Sequence, residues 1–142
     1  MKYLLDTDHI SFMQKRRGPE YGALIARIAR HSAADFSFSI VSFHEQTLGG
    51  HALLNRARTT AHLIHGYLLL LEILQSYMTT AVLPFDAAAA AVFHNLQAQR
   101  IRVATMDLRI AAITLSRGLK VLTRNVRDFG RVPGLLTEDW TI

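Results

Sequence analysis

The chain contains no cysteine, which excludes disulfides, thiolate zinc sites and cysteine nucleophiles together. It also lacks a proline-, glycine- or serine-rich linker, a low-complexity tract and any internal repeat, so its 142 residues are expected to form one domain, 1–142, long enough to bury a single core. No long hydrophobic run is present. The greasiest stretch, Gly66 to Leu74, is too short to span a bilayer and is bracketed by His62, His65 and Glu72, which points to a buried or partner-facing helix and no membrane association. The first residues do not show the basic, apolar, small-residue order of a secretory signal. Export is not expected, and a cytoplasmic location is.

Acid is scarce. Eleven Asp and Glu face sixteen Lys and Arg, giving a net charge of +5 and a pI near 10.1, a balance that favours a polyanionic partner such as nucleic acid. The basic residues are scattered, and each pair taken singly reads as a solvated face. Half of the residues are apolar, so disorder is excluded. Against this background four acids stand at four separate breaks: Asp6 after Leu4-Leu5, Glu45 after an apolar run ending at Val41, Asp107 after Thr105-Met106, and Asp128 after Arg127. Residues just past the carboxyl ends of parallel strands meet in one crevice whatever their separation in sequence. Carboxylates gathered in this way repel one another, and a hard divalent cation is the usual resolution.

A coarse reading of periodicity places those breaks. Residues 2–6 read as a buried strand, and about 7–31 as two helices around Gly18-Pro19. Residues 36–41 form a second strand, after which Ser42 is placed to cap a helix with Glu45 three positions on, matching a capping box. Residues 43–58 and 60–79 predict two long helices forming a hairpin, with Leu63, Tyr67, Leu70, Leu71 and Leu74 at spacings of three and four. A short strand at 81–85 leads into an alanine-rich helix from Asp86 to about Gln99. Another helix runs from Thr105 to Ser116, stopped by Gly118, and is followed by a strand at 120–123 and a last one near Leu135–Thr137. Alternating strand and helix predict a mostly parallel sheet covered on both faces, with right-handed crossovers.

The ordered blocks Tyr3-Leu4-Leu5-Asp6-Thr7-Asp8-His9-Ile10-Ser11, Ser39 to Glu45, Met106 to Leu119, and Val121 to Leu135 with the terminal Glu138-Asp139-Trp140 resemble the PIN-domain family over nearly the whole chain, and within it the VapC-like toxins of bacterial toxin–antitoxin pairs. The resemblance implies a PIN-like three-layer α/β/α sandwich with a protruding helical hairpin, and an endoribonuclease that uses Mg²⁺ or Mn²⁺ to hydrolyse RNA phosphodiesters, tRNA being among the candidate substrates. It implies that Asp6, Glu45, Asp107 and Asp128 are the acidic quartet. Asp6 and Asp107 would coordinate directly, Glu45 would be a second ligand or would position water, and Asp128 would take an outer or second-metal role, with Thr7 and Asn125 in support. A cognate antitoxin and a second copy of the chain are the implied partners, both drawn to the hairpin around residues 53–78. Many family members carry Asn where this chain has Asp8; an added ligand and a helix cap are both open, capping being the simpler.

Plainer readings stand beside these. An Asp at a strand end is singly more often a helix cap than a metal ligand, and it is the joint placement that argues otherwise. Asn125 suits a turn as well as a site. Arg124, Arg127 and Arg131 flank the proposed site in sequence and are assigned to phosphate contacts. His9 and His44 adjoin acids, where packing at the edge of the site is the simpler role. Phe129 and Trp140 are expected to pack the last segment against the domain rather than to stack bases. Two other functions remain open. Asp6-Thr7-Asp8 also matches the opening signature of haloacid-dehalogenase-like phosphatases, with Lys120 as the required lysine, although no late acidic pair follows it. A non-catalytic nucleic-acid or protein-binding module would keep the carboxylates only as caps.

Overall fold

Short apolar runs bounded by polar residues form the strands β1 (Tyr3–Leu5), β2 (Phe36–Ser39), β3 (Ala81–Leu83), β4 (Lys120–Leu122) and β5 (Thr137–Glu138). In the computed structural model, which describes residues 1–142, they make one sheet in the order β3-β2-β1-β4-β5 with every pairing parallel. Successive residues on a strand face opposite sides, and parallel strands covered on both sides can be apolar at consecutive positions. Leu4 and Val121 accordingly enter one core while Leu5 and Leu122 enter the other, all four fully buried or nearly so.

The helices are α1 (Thr7–Lys15), α2 (Pro19–Ile28), α3 (Ile40–Arg56), α4 (Thr60–Tyr77), α5 (Ala87–Ala98), α6 (Thr105–Ser116) and the single turn α7 (Val126–Phe129). One core is closed by α5, α6 and α7 through Ala89, Phe93, Leu108, Ile110, Ile113 and Phe129. The other is closed by α1, α2 and α4 through Ile10, Leu24 and Ile73. Helix α3 straddles the two, with Val41 in the first core and Phe43 against the second. This is the three-layer α/β/α arrangement expected, with a sheet that is wholly rather than mostly parallel. No helix is long and apolar enough to cross a membrane.

The hairpin of α3 and α4 is held by a reciprocal fit. A Cβ built on Gly50 would lie 2.5 Å from Leu70 Cδ2, and one built on Gly66 would lie 2.6 Å from Leu54 Cδ2, so each helix offers a glycine to a leucine of the other. The opposite side of α4 carries Leu63, Ile64, Tyr67, Leu68, Leu71 and Leu74 in solvent, Tyr67 being 60% exposed and Leu68 59%.

Three local expectations are corrected. The cap of α3 is Ser39, whose hydroxyl accepts from the Ser42 N–H at 3.0 Å. Pairing of Ser39 with Leu83 ends β2 there, so Ser42 falls inside the first turn and no Ser42–Glu45 capping box forms. Asp8 is not a cap either, because Asp6 occupies that position on α1. The last strand lies at Thr137–Glu138, beyond Leu135, which is buried in the first core. Trp140 and Phe129 are buried as expected. Trp140 packs among Tyr3, His31 and Phe36, and the Arg27 guanidinium lies 4.6 Å above its ring.

Candidate active site

In an all-parallel sheet every strand delivers its carboxyl end to the same edge. The order β3-β2-β1-β4-β5 makes the chain step from β1 to one side through β2 and β3, then return to the other side at β4. The crevice at such a reversal is where α/β sheets bind ligands, and here it opens between the ends of β1 and β4. Asp6 follows β1, with its backbone N–H donating to the Leu122 carbonyl at 2.9 Å. Its Oδ1 accepts from the Thr7 N–H at 2.7 Å, capping α1, and its Oδ2 accepts from the Thr123 hydroxyl at 2.8 Å. Cap and site residue are therefore the same side chain.

The other acids come from three further elements. Helix α3 brings Glu45, whose Oε1 lies 3.1 Å from the Thr7 hydroxyl, which in turn lies 2.9 Å from Ser42 Oγ. Asp107 sits in the first turn of α6, a helix whose N-terminus has no side-chain cap and so favours a carboxylate there. Asp128 sits on α7 and accepts from Asn125 Nδ2 at 3.1 Å. Asp8 is the fifth carboxylate. Its Oδ2 accepts from the Arg124 N–H at 3.0 Å and its Oδ1 lies 2.7 Å from His9 Nδ1.

Electrostatically this is a set of acids short of counterions. Asp6 is only 5% exposed, and its pKa is pushed up to about 7, first by burial and then by the Asp8 carboxylate, with the hydrogen bonds from Thr123 and Thr7 opposing. Burial also raises Glu45, against the Thr7 hydrogen bond and with a further upward push from Asp107. Asp107 is raised by burial and then by Asp128 and Asp8. No lysine or arginine forms an ion pair with Asp6, Glu45 or Asp107; the nearby pair is Arg131 with Asp128 at 3.6 Å.

No three His, Asp or Glu side chains stand close enough together to encage a metal ion. The donor set nonetheless suits a hard cation of the Mg²⁺ kind, which is held by one or two carboxylates, retains waters and takes its remaining ligands from substrate phosphate. Mutually repelling, partly desolvated carboxylates without basic partners are the chemistry such an ion relieves. Asp107 adds to the upward push on Asp6, and Asp128 to that on Asp107, so Asp6 and Asp107 are residues that could hold such an ion, with Asp128 in an outer place.

The sequence-expected residues therefore converge, with some differences in freedom. Thr7 bonds Asp6 through its N–H and Glu45 through its hydroxyl, and Asn125 bonds Asp128. Arg124 and Arg127 are exposed beside the crevice, Arg124 lying 5.4 Å over the Phe12 ring. Arg131 is more committed, donating to the Arg102 carbonyl at 2.9 Å. Thr123 was not singled out, and Asp8 was weighed only as an added ligand or a cap. The signal for Thr123 was available in part: it follows Val121-Leu122 as Asp6 follows Leu4-Leu5, and the register pairs Leu5 with Leu122. Lys120 opens β4 at the far end of the strand and pairs with Glu138, so it is no partner for Asp6. A hollow of about 440 Å³ between Ile40, His44, Phe85, Phe93, His94 and Arg109 is lined by none of these acids.

Known proteins share this fold and much of this sequence. The tRNA(fMet)-specific endonuclease VapC of Salmonella typhimurium is 31% identical, with 99% of this chain and 98% of that protein covered. Ribonuclease VapC2 of Haemophilus influenzae is 29% identical over the same shares. Among solved structures, the DNA-bound VapBC complex of Salmonella typhimurium superposes with a TM-score of 0.76 at 25% identity, covering 99% of this chain and 98% of that one. VapBC-1 of nontypeable Haemophilus influenzae gives a TM-score of 0.73 at 22% identity with both chains fully covered. No protein-family model matches.

Proposed function

The chain belongs to the VapC family, and from that membership we propose that it is a ribonuclease hydrolysing RNA phosphodiester bonds with a divalent cation, the toxin half of a toxin–antitoxin pair. The observation that carries this reading is the meeting of Asp6, Glu45, Asp107 and Asp128 at the reversal point of the sheet, the first three without a basic counterion and Asp128 alone paired, with Arg131. Asp6 and Asp107 would hold the ion, Mg²⁺ or Mn²⁺, directly, with Asp128 as an outer or second-metal ligand, and when bound the ion would supply polarisation of the phosphate and acidification of the attacking water. Thr7 fixes Glu45 through Oε1, leaving Oε2 without a protein donor. With its pKa raised by burial, Glu45 is suited to take the proton of the attacking water at Oε2. Asn125 orients Asp128, and the exposed guanidinium groups of Arg124 and Arg127 hold flanking RNA phosphates.

A dehalogenase-type nucleophile at Asp6 is disfavoured by two observations: both carboxylate oxygens already accept hydrogen bonds in a buried setting, and Lys120 is held by Glu138. The partner surface is the outer side of α4, where Leu63, Ile64, Tyr67, Leu68, Leu71 and Leu74 form a continuous apolar stripe. A stripe of this kind takes an amphipathic segment, and an antitoxin segment is its occupant here. VapBC complexes among the structural neighbours support that choice. A homodimer is the second association proposed, with light scattering of the isolated chain as its test.

The nuclease reading is tested by incubating antitoxin-free protein with total cellular RNA and with purified tRNA in Mg²⁺ or Mn²⁺, beside EDTA and Asp6→Asn controls. Cleavage that requires both metal and Asp6 is expected. Cleavage surviving in Asp6→Asn would overturn the assignment of the site.

A further inference from the structure

His9 alone among the seven histidines is fully buried, and both of its ring nitrogens are engaged. The Trp140 backbone N–H donates to Nε2 at 3.1 Å, and Nδ1 lies 2.7 Å from Asp8 Oδ1. A backbone N–H can only donate, so Nε2 is the acceptor and the ring proton resides on Nδ1, where it is donated to Asp8. Asp139 Oδ1 lies 3.7 Å from Nε2 but is occupied by the Thr141 N–H and hydroxyl at 2.8 and 2.6 Å.

From Asp8 the bonds continue into the loop after β4. Its second oxygen accepts from the Arg124 N–H at 3.0 Å and faces the Thr123 hydroxyl at 3.4 Å. That hydroxyl donates to Asp6 at 2.8 Å and accepts from the Asn125 N–H at 2.9 Å, while Asn125 Nδ2 donates to Asp128 at 3.1 Å. A single buried ring thus joins the end of the chain to the loop that orients two acids of the site. A packing role would need only its volume, whereas this ring is fixed in one tautomer by donors and acceptors of opposite sense on its two sides.

We propose that His9 is a positioning residue: seated by the Trp140 amide as the Nδ1–H tautomer, it orients Asp8, and Asp8 holds residues 123–125 so that Thr123 and Asn125 present Asp6 and Asp128 for metal binding. The proposal rests on the nuclease reading only for its consequence in metal binding and cleavage; the strap itself is independent of it.

Two isosteric substitutions separate the two sides of the ring. His9→Asn keeps a donor amide where Nδ1 was and ends short of the Trp140 amide. His9→Gln reaches the Trp140 amide with its oxygen and gives up the donor to Asp8. The readouts are amide hydrogen exchange at Arg124 and Trp140, emission of Trp140, which is the single tryptophan, the rise in melting temperature with Mn²⁺, and kcat and KM for RNA. In His9→Gln, Arg124 exchanges about tenfold faster, Trp140 stays protected, most of the Mn²⁺-induced rise is lost, and kcat falls with KM little changed. In His9→Asn, Trp140 exchanges faster and its emission shifts to the red, while Arg124 protection and the Mn²⁺ response persist. Equal acceleration of both amides in both variants, or unchanged Arg124 exchange in His9→Gln, would overturn the proposal. The wild-type chain gives a test that needs no variant: long-range ¹H–¹⁵N correlations must report the Nδ1–H tautomer at His9, and an Nε2–H ring refutes the strap. The expected exchange pattern in a wild type that neither responds to Mn²⁺ nor cuts RNA upholds the strap and refutes the nuclease reading instead.

Discussion

Replacing Asp6 by Asn is expected to stabilise the metal-free protein while abolishing its activity. Burial and neighbouring carboxylates raise the pKa of Asp6 from 3.8 to about 7. At about 1.4 kcal/mol per pH unit, keeping Asp6 ionised in the folded state costs about 4 kcal/mol. The sign follows from proton binding. Between pH 3.8 and about 7 the unfolded chain has released this proton and the folded chain retains it, so stability falls as pH rises through that window and levels off above it. Asn keeps the local bonds. Its oxygen still accepts from the Thr7 N–H, Asn being a good N-cap, and its amide can donate to the Thr123 hydroxyl, whose own proton then turns to Asp8 at 3.4 Å. Urea denaturation in EDTA at pH 5 and pH 8 is the assay. The variant gains on the wild type by about 2 to 3 kcal/mol between those two values, and in saturating Mn²⁺ the wild type recovers roughly 3 kcal/mol that the variant does not. An Asp6→Asn protein less stable than wild type at pH 8 in EDTA, or a difference independent of pH, would refute the reasoning.

Three further outcomes are expected. Tyr77 carries a buried hydroxyl without a hydrogen-bond partner, so Tyr77→Phe should raise stability by up to ~1 kcal/mol, and a loss larger than that in thermal melts would show the hydroxyl to be satisfied in solution. Arg124→Ala and Arg127→Ala should each reduce the slope of log affinity against log salt for RNA by about 0.7, as measured by fluorescence anisotropy; an unchanged slope removes that residue from the phosphate contacts. Leu68→Glu on the exposed side of α4 should abolish antitoxin capture while altering unfolding free energy by less than about 0.5 kcal/mol, and retained capture in a pull-down with the cognate antitoxin would place the partner elsewhere.

How far the sequence could be read depended on whether a signal was local. Asp6 announces itself because it follows the apolar Leu4-Leu5 at a strand end, whereas Asp107 and Asp128 sit in the first turns of α6 and α7 after loops and were legible only through the order and spacing of the blocks that contain them. The two-helix reading of residues 7–31 came from Gly18-Pro19, and Gly18 does adopt the positive φ of 91° at that junction. The start of α3 was misplaced because Ser39 and Ser42 both present a hydroxyl three residues before a plausible first turn; pairing of β2 with β3, a tertiary fact, decides between them. Asp8 and Thr123 lie 115 residues apart, and no periodicity speaks to a bond at that separation. His9 looked like edge packing because its partners are a neighbour's carboxylate and the amide of a residue near the other end of the chain.

The central position of β1 also imposes an order in time. Asp6 is synthesised before the strand that flanks it on one side, which begins at Lys120, and before Trp140, which seats His9. A nascent chain can assemble β1, β2 and β3 with their helices, but Thr123, 117 residues after Asp6, reaches it only once β4 has been made. A growing chain therefore carries the acid without the crevice, and the site exists only from the moment that β4 and the turn after it take their place beside β1.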